Sequence, residues 1–289
     1  ARRINLENGM YRADLQVHTR FSHEFTREKY MDGITPIKVI NKANRIGLNI
    51  LVVTDDKNDK FLDYVLAKLF ELTPPDSEVL TDDHSYVFFG HHGLDSRRDL
   101  LILRGIEHHD ELGHLLVVGH DRKIEFNHKY TTKDRINQAH NLGGVVGAAH
   151  PFFESVGGLG KDKLDDIAHE LDFVEVRNGL HAWPFNRYDL EAEEWYENAR
   201  KSELKIAATG SSNAHRVKDI GIAYTNCYGM KELTREEFIK AIKEQKTEAG
   251  GNHLTTFGAA LSLFPPRRFV QNFSNVVDGV LKASGARGN

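Results

Sequence analysis

Short apolar runs alternate with segments of helical periodicity along most of the chain. Runs over 13–18, 49–54, 100–106, 114–119, 144–149, 173–176 and 205–209 read as strands. Their centres, such as Ile50-Leu51-Val52-Val53 and Leu100-Leu101-Ile102-Leu103, are continuously apolar, which suits strands buried on both faces of a parallel sheet. Between them, apolar residues recur at helical spacing over 36–46, 133–142, 188–204 and 235–246. The Thr35-Pro36 pair suits a helix start, with proline in the first turn where no amide hydrogen is needed. Strand followed by helix, repeated, predicts an α/β fold, either a barrel or a doubly wound sheet.

Two segments break this rhythm. Residues 73–99 hold Pro74-Pro75, several acids and His84, His91 and His92, and read as an insertion loop: a lid or a mobile surface segment. Near the end, Phe269, Val270, Phe273, Val276, Val277, Val280 and Leu281 form one helical stripe after Pro265-Pro266. That pattern predicts an amphipathic helix packed on the body of its own domain. The expected organisation is therefore a barrel over 1–253, insertion included, with a C-terminal tail over 254–289.

Composition narrows the function. The 289 residues carry a formal net charge of −4, which argues against a surface built to bind polymeric nucleic acid. No run approaches the ~20 apolar residues of a membrane helix, so a cytoplasmic protein is the simplest expectation. With one cysteine, Cys227, neither an internal disulfide nor a Cys-rich zinc site can form, and a buried thiol is expected.

The 16 histidines are more telling, because several stand at the ends of the apolar runs. The first strand carries Asp14, Gln16 and His18 at a spacing of two, which places them on one face of a regular strand. Others end in Asp55-Asp56, Glu107-His108-His109, Gly119-His120, Ala149-His150 and Glu175-Val176-Arg177-Asn178, and another leads into Ser212-Asn213-Ala214-His215-Arg216. Any one of these has a dull explanation as a cap, a turn or a satisfied core residue. Repeated at strand after strand they suit a ligand set gathered at the carboxyl end of an α/β fold. Imidazole and carboxylate donors favour Zn, Mn or Fe.

Taken in order, these segments resemble the PHP (polymerase and histidinol phosphatase) family. Asp14-Leu15-Gln16-Val17-His18-Thr19 with Ser22-His23, Thr54-Asp55-Asp56, Gly105-Ile106-Glu107 with His114, Ala149-His150-Pro151 and Ser212-Asn213-Ala214-His215 each echo a family motif. The resemblance implies a distorted seven-stranded (β/α) barrel, up to three divalent metal ions and phosphoester hydrolysis. It implies one site from Glu107, His114 and His150, and another from His23, Asp56 and His215, with His18 serving whichever ion lies nearer. Gln16 and Asn213 occupy two further ligand places with neutral amides, so the site they belong to is expected to be weak or vacated, leaving one or two ions. A metal held in this way makes water nucleophilic near neutral pH. Arg20, Arg177 and Arg216 adjoin the matched segments and are the candidate phosphoryl-binding cations. The expected activity is cleavage of a small phosphate mono- or diester. Two alternatives remain: a catalytically impaired barrel that binds or scaffolds, and a metal-dependent hydrolase of another ester or amide.

Overall fold

A computed structural model describes residues 10–19, 21, 34–57, 60–68, 77–81, 86–91, 99–109, 111–124, 129–181 and 186–254. The strands are β1 (Tyr11–Val17), β2 (Ile50–Val53), β3 (Ser77–Thr81), β4 (Tyr86–His91), β5 (Leu100–His109), β6 (His114–Val118), β7 (Val145–Ala148), β8 (Phe173–Asn178), β9 (Ala207–Ser211), β10 (Ala223–Cys227) and β11 (Thr247–Gly251). The helices are α1 (Pro36–Ile46), α2 (Lys60–Ala67), α3 (Thr132–Asn141), α4 (Lys161–Ile167), α5 (Arg187–Lys201) and α6 (Arg235–Lys243). Helix α1 begins at the predicted Pro36, but Thr35 makes no side-chain cap; the helix stops at Gly47, whose φ of 71° costs glycine little. The C-terminal amphipathic stripe lies outside the described residues.

Hydrogen bonding joins the strands in the order β11-β10-β1-β2-β5-β6-β7-β8-β9. The run from β1 to β9 bends round on itself: Val17 bridges Ala214, just past β9, and His18 N donates to Ala214 O at 2.9 Å. The seven strands β1, β2, β5, β6, β7, β8 and β9 thus form a nearly closed barrel, as the PHP resemblance implies and in place of the doubly wound alternative. Alternation along the strands sorts the apolar side chains. Leu15, Val52, Leu103, Val118 and Phe173 belong to one buried cluster, while Leu51, Ile102 and Val53 pack with α1 and α2 residues in a second. Val117, Val146 and Val174 join Ile136, Leu164 and Trp195 of α3, α4 and α5 in a third. The continuous apolar runs reflect this burial on both faces.

The sheet is not uniformly parallel. β6 runs antiparallel to both β5 and β7, with His109 paired to His114 across the β5–β6 turn. Within 73–99, read as a loop, the chain forms the antiparallel pair β3–β4, and β4 adds to the edge of β5. The exposed Leu80 alternates there with half-buried Val79. Two more strands missing from the sequence reading, β10 and β11, extend the sheet beyond β1. β10 alternates buried and half-buried positions, and β11 reads Thr-Glu-Ala-Gly-Gly, so neither forms a continuous apolar run.

Two register shifts interrupt the alternation of faces. One falls in β1 between Asp14 and Val17, the other in β8 between Glu175 and Arg177. A bulge adds one residue to the count on its strand, so side chains after it exchange faces.

Packing inside the barrel is tight. A Cβ built on Gly147 would lie 2.2 Å from the fully buried Phe173 ring. Gly147→Ala should therefore cost roughly 1–3 kcal/mol, read as a lower urea midpoint at unchanged slope. Cys227 is buried and unpaired, and burial pushes its thiol up to about 12. In the native state it should resist a neutral-pH thiol reagent, and react fully only after denaturation.

Candidate metal centre

A carboxylate taken out of water demands charge or hydrogen-bond partners. Glu107, near the end of β5 and 2% exposed, has them on every side. Its Oε1 lies 2.8 Å from His114 Nδ1, 3.5 Å from His150 Nε2 and 3.6 Å from His109 Nε2. Its Oε2 lies 3.2 Å from His18 Nε2 and accepts from Gln16 Nε2 at 2.6 Å. Asp56 stands beside it, bridged to Glu107 through the backbone, with its carboxylate 3.0 Å from His109 Nε2 and 3.7 Å from His18 Nδ1. Burial alone would push the Glu107 carboxyl up; hydrogen bonds from His109, His114, His150 and His18 outweigh it and hold the carboxyl well below its ordinary range. Burial likewise pushes the His18 imidazole down, yet Asp56 and Glu107 bring it up to about 9.

The fold explains how these residues meet. The β5–β6 turn returns the chain at the carboxyl end of β5, so His114, the first residue of β6, comes back beside Glu107. His109 stacks on it with ring centroids 3.6 Å apart. His120, at the far end of antiparallel β6, is carried to the opposite end of the barrel, contrary to the reading that grouped it with the other strand ends. There its Nδ1 meets Arg122 O at 2.8 Å, and burial holds the imidazole down at about 3. His150 follows β7 in a left-handed conformation, φ 29°, with its amide donating to Glu175 Oε2 at 2.7 Å.

The bulges divide the remaining candidates. Asp14 does not share the Glu107 face with Gln16 and His18; it accepts from Ser212 N at 2.9 Å and Gly221 N at 2.8 Å. Past the β8 bulge, Arg177 is turned out to Glu193 of α5 at 2.7 Å, while Asn178 enters the interior. Asn178 Nδ2 donates to Gln16 Oε1 at 3.3 Å and to Glu175 Oε2 at 2.9 Å. Gln16 is thus held with its amide nitrogen toward Glu107. Glu175 also accepts from Ser211 Oγ, and burial pushes its carboxyl up to about 7.

His215 stacks on His18 at 4.3 Å, with its Nδ1 3.0 Å from Asn213 O. Arg216 is paired with Asp219. Arg20 and His23 lie outside the described residues. The structure therefore assembles His18, Asp56, Glu107, His114 and His150, with His215 against them. It adds His109, which the sequence reading left without a role. The signal for His109 was present: on a regular strand it lies two residues beyond Glu107, hence on the same face.

A divalent ion fits this donor set. Glu107, His109 and His114 place one donor atom each within 4.8 Å of one another, as do His18, Asp56 and Glu107. The two groups share Glu107, the arrangement of a carboxylate between two cations. His150 Nδ1 and Asn213 Oδ1 are buried without hydrogen-bond partners among the described residues. Imidazole with carboxylate is the chemistry of Zn, Mn or Fe rather than of Ca or Mg.

Comparison with known proteins bears on the fold. A family model described as PHP-associated matches residues 196–247, from within α5 to the start of β11. The fold is similar to that of a two-domain Bacteroides vulgatus protein containing a predicted PHP-like metal-dependent phosphoesterase, at 17% identity and a TM-score of 0.57, covering 84% of this chain and 65% of that one. It is similar to PsfC from Pseudomonas syringae, at 16% identity and a TM-score of 0.59, over 88% of this chain and 96% of that one. The family match thus covers part of the chain, and the two structures share its fold. The fold also resembles endonuclease Q, solved with a 27-mer duplex substrate bearing an abasic lesion, at 19% identity and a TM-score of 0.50, over 86% of this chain and 60% of that one. The chain thus spans less than two thirds of the first and third of these structures. No curated protein matches it. Among the described residues, no helix is long and apolar enough to cross a membrane.

Because both donor groups share Glu107, Glu107→Gln should lower metal content more than His114→Ala or Asp56→Asn, each of which touches one group. Elemental mass spectrometry of purified, metal-loaded protein, per mole of chain, reads the difference.

Proposed function

We propose that this PHP-type barrel is a metal-dependent hydrolase of phosphoester bonds, acting on a small phosphate mono- or diester. One observation carries the reading: a buried, ionised Glu107 with four imidazoles and Asp56 around it at one end of the barrel. Such an assembly is costly as pure structure, because like-charged carboxylates and desolvated imidazoles oppose folding unless a cation repays them. The structural neighbour named for a PHP-like metal-dependent phosphoesterase adds to the case.

Glu107, His109 and His114 would hold one ion and His18, Asp56 and Glu107 another, with His150 and His215 adjoining; Zn, Mn and Fe are the ions their chemistry favours. When bound, such ions supply Lewis acidity and an activated water. The chain's own residues do the rest. Asn178 and Gln16 fix the rotamer of Glu107, and Glu175 holds the His150 backbone in its left-handed turn. Both described candidate arginines are already engaged, Arg177 with Glu193 and Arg216 with Asp219, so a phosphoryl-binding role for either would need that ion pair to open.

A second reading is favoured by Gln16. Its amide donates to Glu107 Oε2 and, being neutral, would hold a cation poorly at that place, so a barrel so altered would bind without turnover.

A panel of p-nitrophenyl phosphate, bis-p-nitrophenyl phosphate, a carboxylic ester and an amide, run with Mn, Zn or Fe, separates the readings. Phosphoester turnover is expected, falling at least ~100-fold in Glu107→Gln. Metal binding with no turnover of any substrate would leave the binding barrel. Turnover of the carboxylic ester or amide alone would move the activity to non-phosphate substrates.

A further inference from the structure

One imidazole outside the Glu107 cluster stands beside it with its ring fixed and one nitrogen uncommitted. His181 follows the end of β8 by three residues and is 2% exposed. Its Nδ1 meets Oδ1 of Asp189, in the first turn of α5, at 2.5 Å. Asp189 is buried too, and is heavily engaged. Its oxygens accept from Asn178 N at 3.3 and 3.1 Å, and Oδ2 lies 2.5 Å from His253 Nε2. Burial pushes this carboxyl up, but the bonds from His181 and His253 bring it below its ordinary value. An ionised carboxylate at Nδ1 fixes both the orientation of an imidazole and the position of its proton.

The other nitrogen, His181 Nε2, has no hydrogen-bond partner among the described residues, and it is not among the partnerless atoms sealed in the interior. The ring centroid is 6.4 Å from that of His150. Phe153 and Tyr188, stacked on each other at 4.7 Å, wall the same ring with their centroids 5.2 and 5.9 Å away. A histidine serving only to fill space does not require a buried carboxylate on one nitrogen while the other is left over.

We propose that His181 is a further substrate-contacting residue, its Nε2 hydrogen-bonding an oxygen of the phosphoryl group beside the Glu107 cluster, with Asp189 and His253 as the positioning residues that hold it. The segment after β11 thereby becomes part of the site. Leu254 N donates to Gly179 O at 2.8 Å, laying this segment across the loop that carries His181. The inference rests on the phosphoesterase reading for its ligand class, but it is tested by binding as well as by turnover.

The variants are His181→Asn and His181→Gln, because an asparagine amide reproduces the place of Nδ1 and a glutamine amide that of Nε2. Metal-loaded protein is compared for metal content, for affinity toward inorganic phosphate by calorimetry, and for kcat and KM on p-nitrophenyl phosphate. His181→Asn should keep wild-type metal content and its Asp189 bond, yet bind phosphate about 10- to 100-fold more weakly, the value of a hydrogen bond to a charged group. His181→Gln should recover part of that loss. Asp189→Asn should weaken phosphate binding too, and add little in the double variant with His181→Asn. Unchanged phosphate affinity in His181→Asn overturns the inference, even if its melting temperature drops, because that is the mark of a structural histidine. Loss of metal from His181→Asn also overturns it, by making His181 a ligand. So does a wild-type protein that binds no phosphate. If phosphate binding falls in the variant while the wild type cleaves no phosphoester, His181 keeps its role and the hydrolase reading fails.

Discussion

The desolvation of one carboxylate organises this structure. Glu107 is buried in a barrel whose other end is filled with Leu, Val and Phe side chains, and a lone carboxylate there would cost several kcal/mol. Most surrounding elements supply a donor that lowers this cost. β1 and the residue after it bring Gln16 and His18, β5 itself brings His109, and β6 and the end of β7 bring His114 and His150. Five donor-bearing residues from four parts of the sequence converge on one acceptor, while Asp56, itself a carboxylate, is balanced by His18 and His109. The same convergence is what a pair of divalent cations would require.

Backbone irregularity makes the convergence possible. A regular β1 would set Asp14 beside His18, and a regular β8 would aim Arg177 inward with Glu175. The bulges send Asp14 to the amides of Ser212 and Gly221 and Arg177 to Glu193, and turn Gln16 and Asn178 inward instead. The result is a chain of hydrogen bonds from Glu107 through Gln16 and Asn178 to Glu175. Amides suit the middle of that chain, since each both donates and accepts. Gln16, an amide at a place the resemblance assigns to a ligand, is thus a support for the Glu107 carboxylate, whereas Asn213 stands outside this chain with its Oδ1 unpartnered among the described residues.

Much of this was legible along the chain. Helix α1 and the buried strands β1, β2 and β5 follow from local periodicity, and polar residues stand just where apolar runs end, while the grouping of His18, Asp56, Glu107, His114 and His150 is what the PHP resemblance implies. These features depend on short-range rules: a helix shows its period within one turn, and a strand buried on both faces shows it in its composition.

What the sequence alone determined was therefore the inventory: an α/β fold, its inner strands, and a set of imidazoles and carboxylates at strand ends, with the barrel implied by the family resemblance. What only the tertiary structure decided was pairing. Strand direction leaves no mark on periodicity, so antiparallel β6 and the removal of His120 to the far end were invisible. Alternation assumes an unbroken count, so the bulges that part Asp14 from His18 and Arg177 from Asn178 could not be read. Strands β10 and β11 lack apolar runs because alternate or most of their positions are only partly buried. The joining of His181, Asp189 and His253 spans 72 residues of chain, and no local rule connects them. Which groups share a proton, a hydrogen bond or a metal is a matter of distance in space, and that is fixed only when the barrel closes.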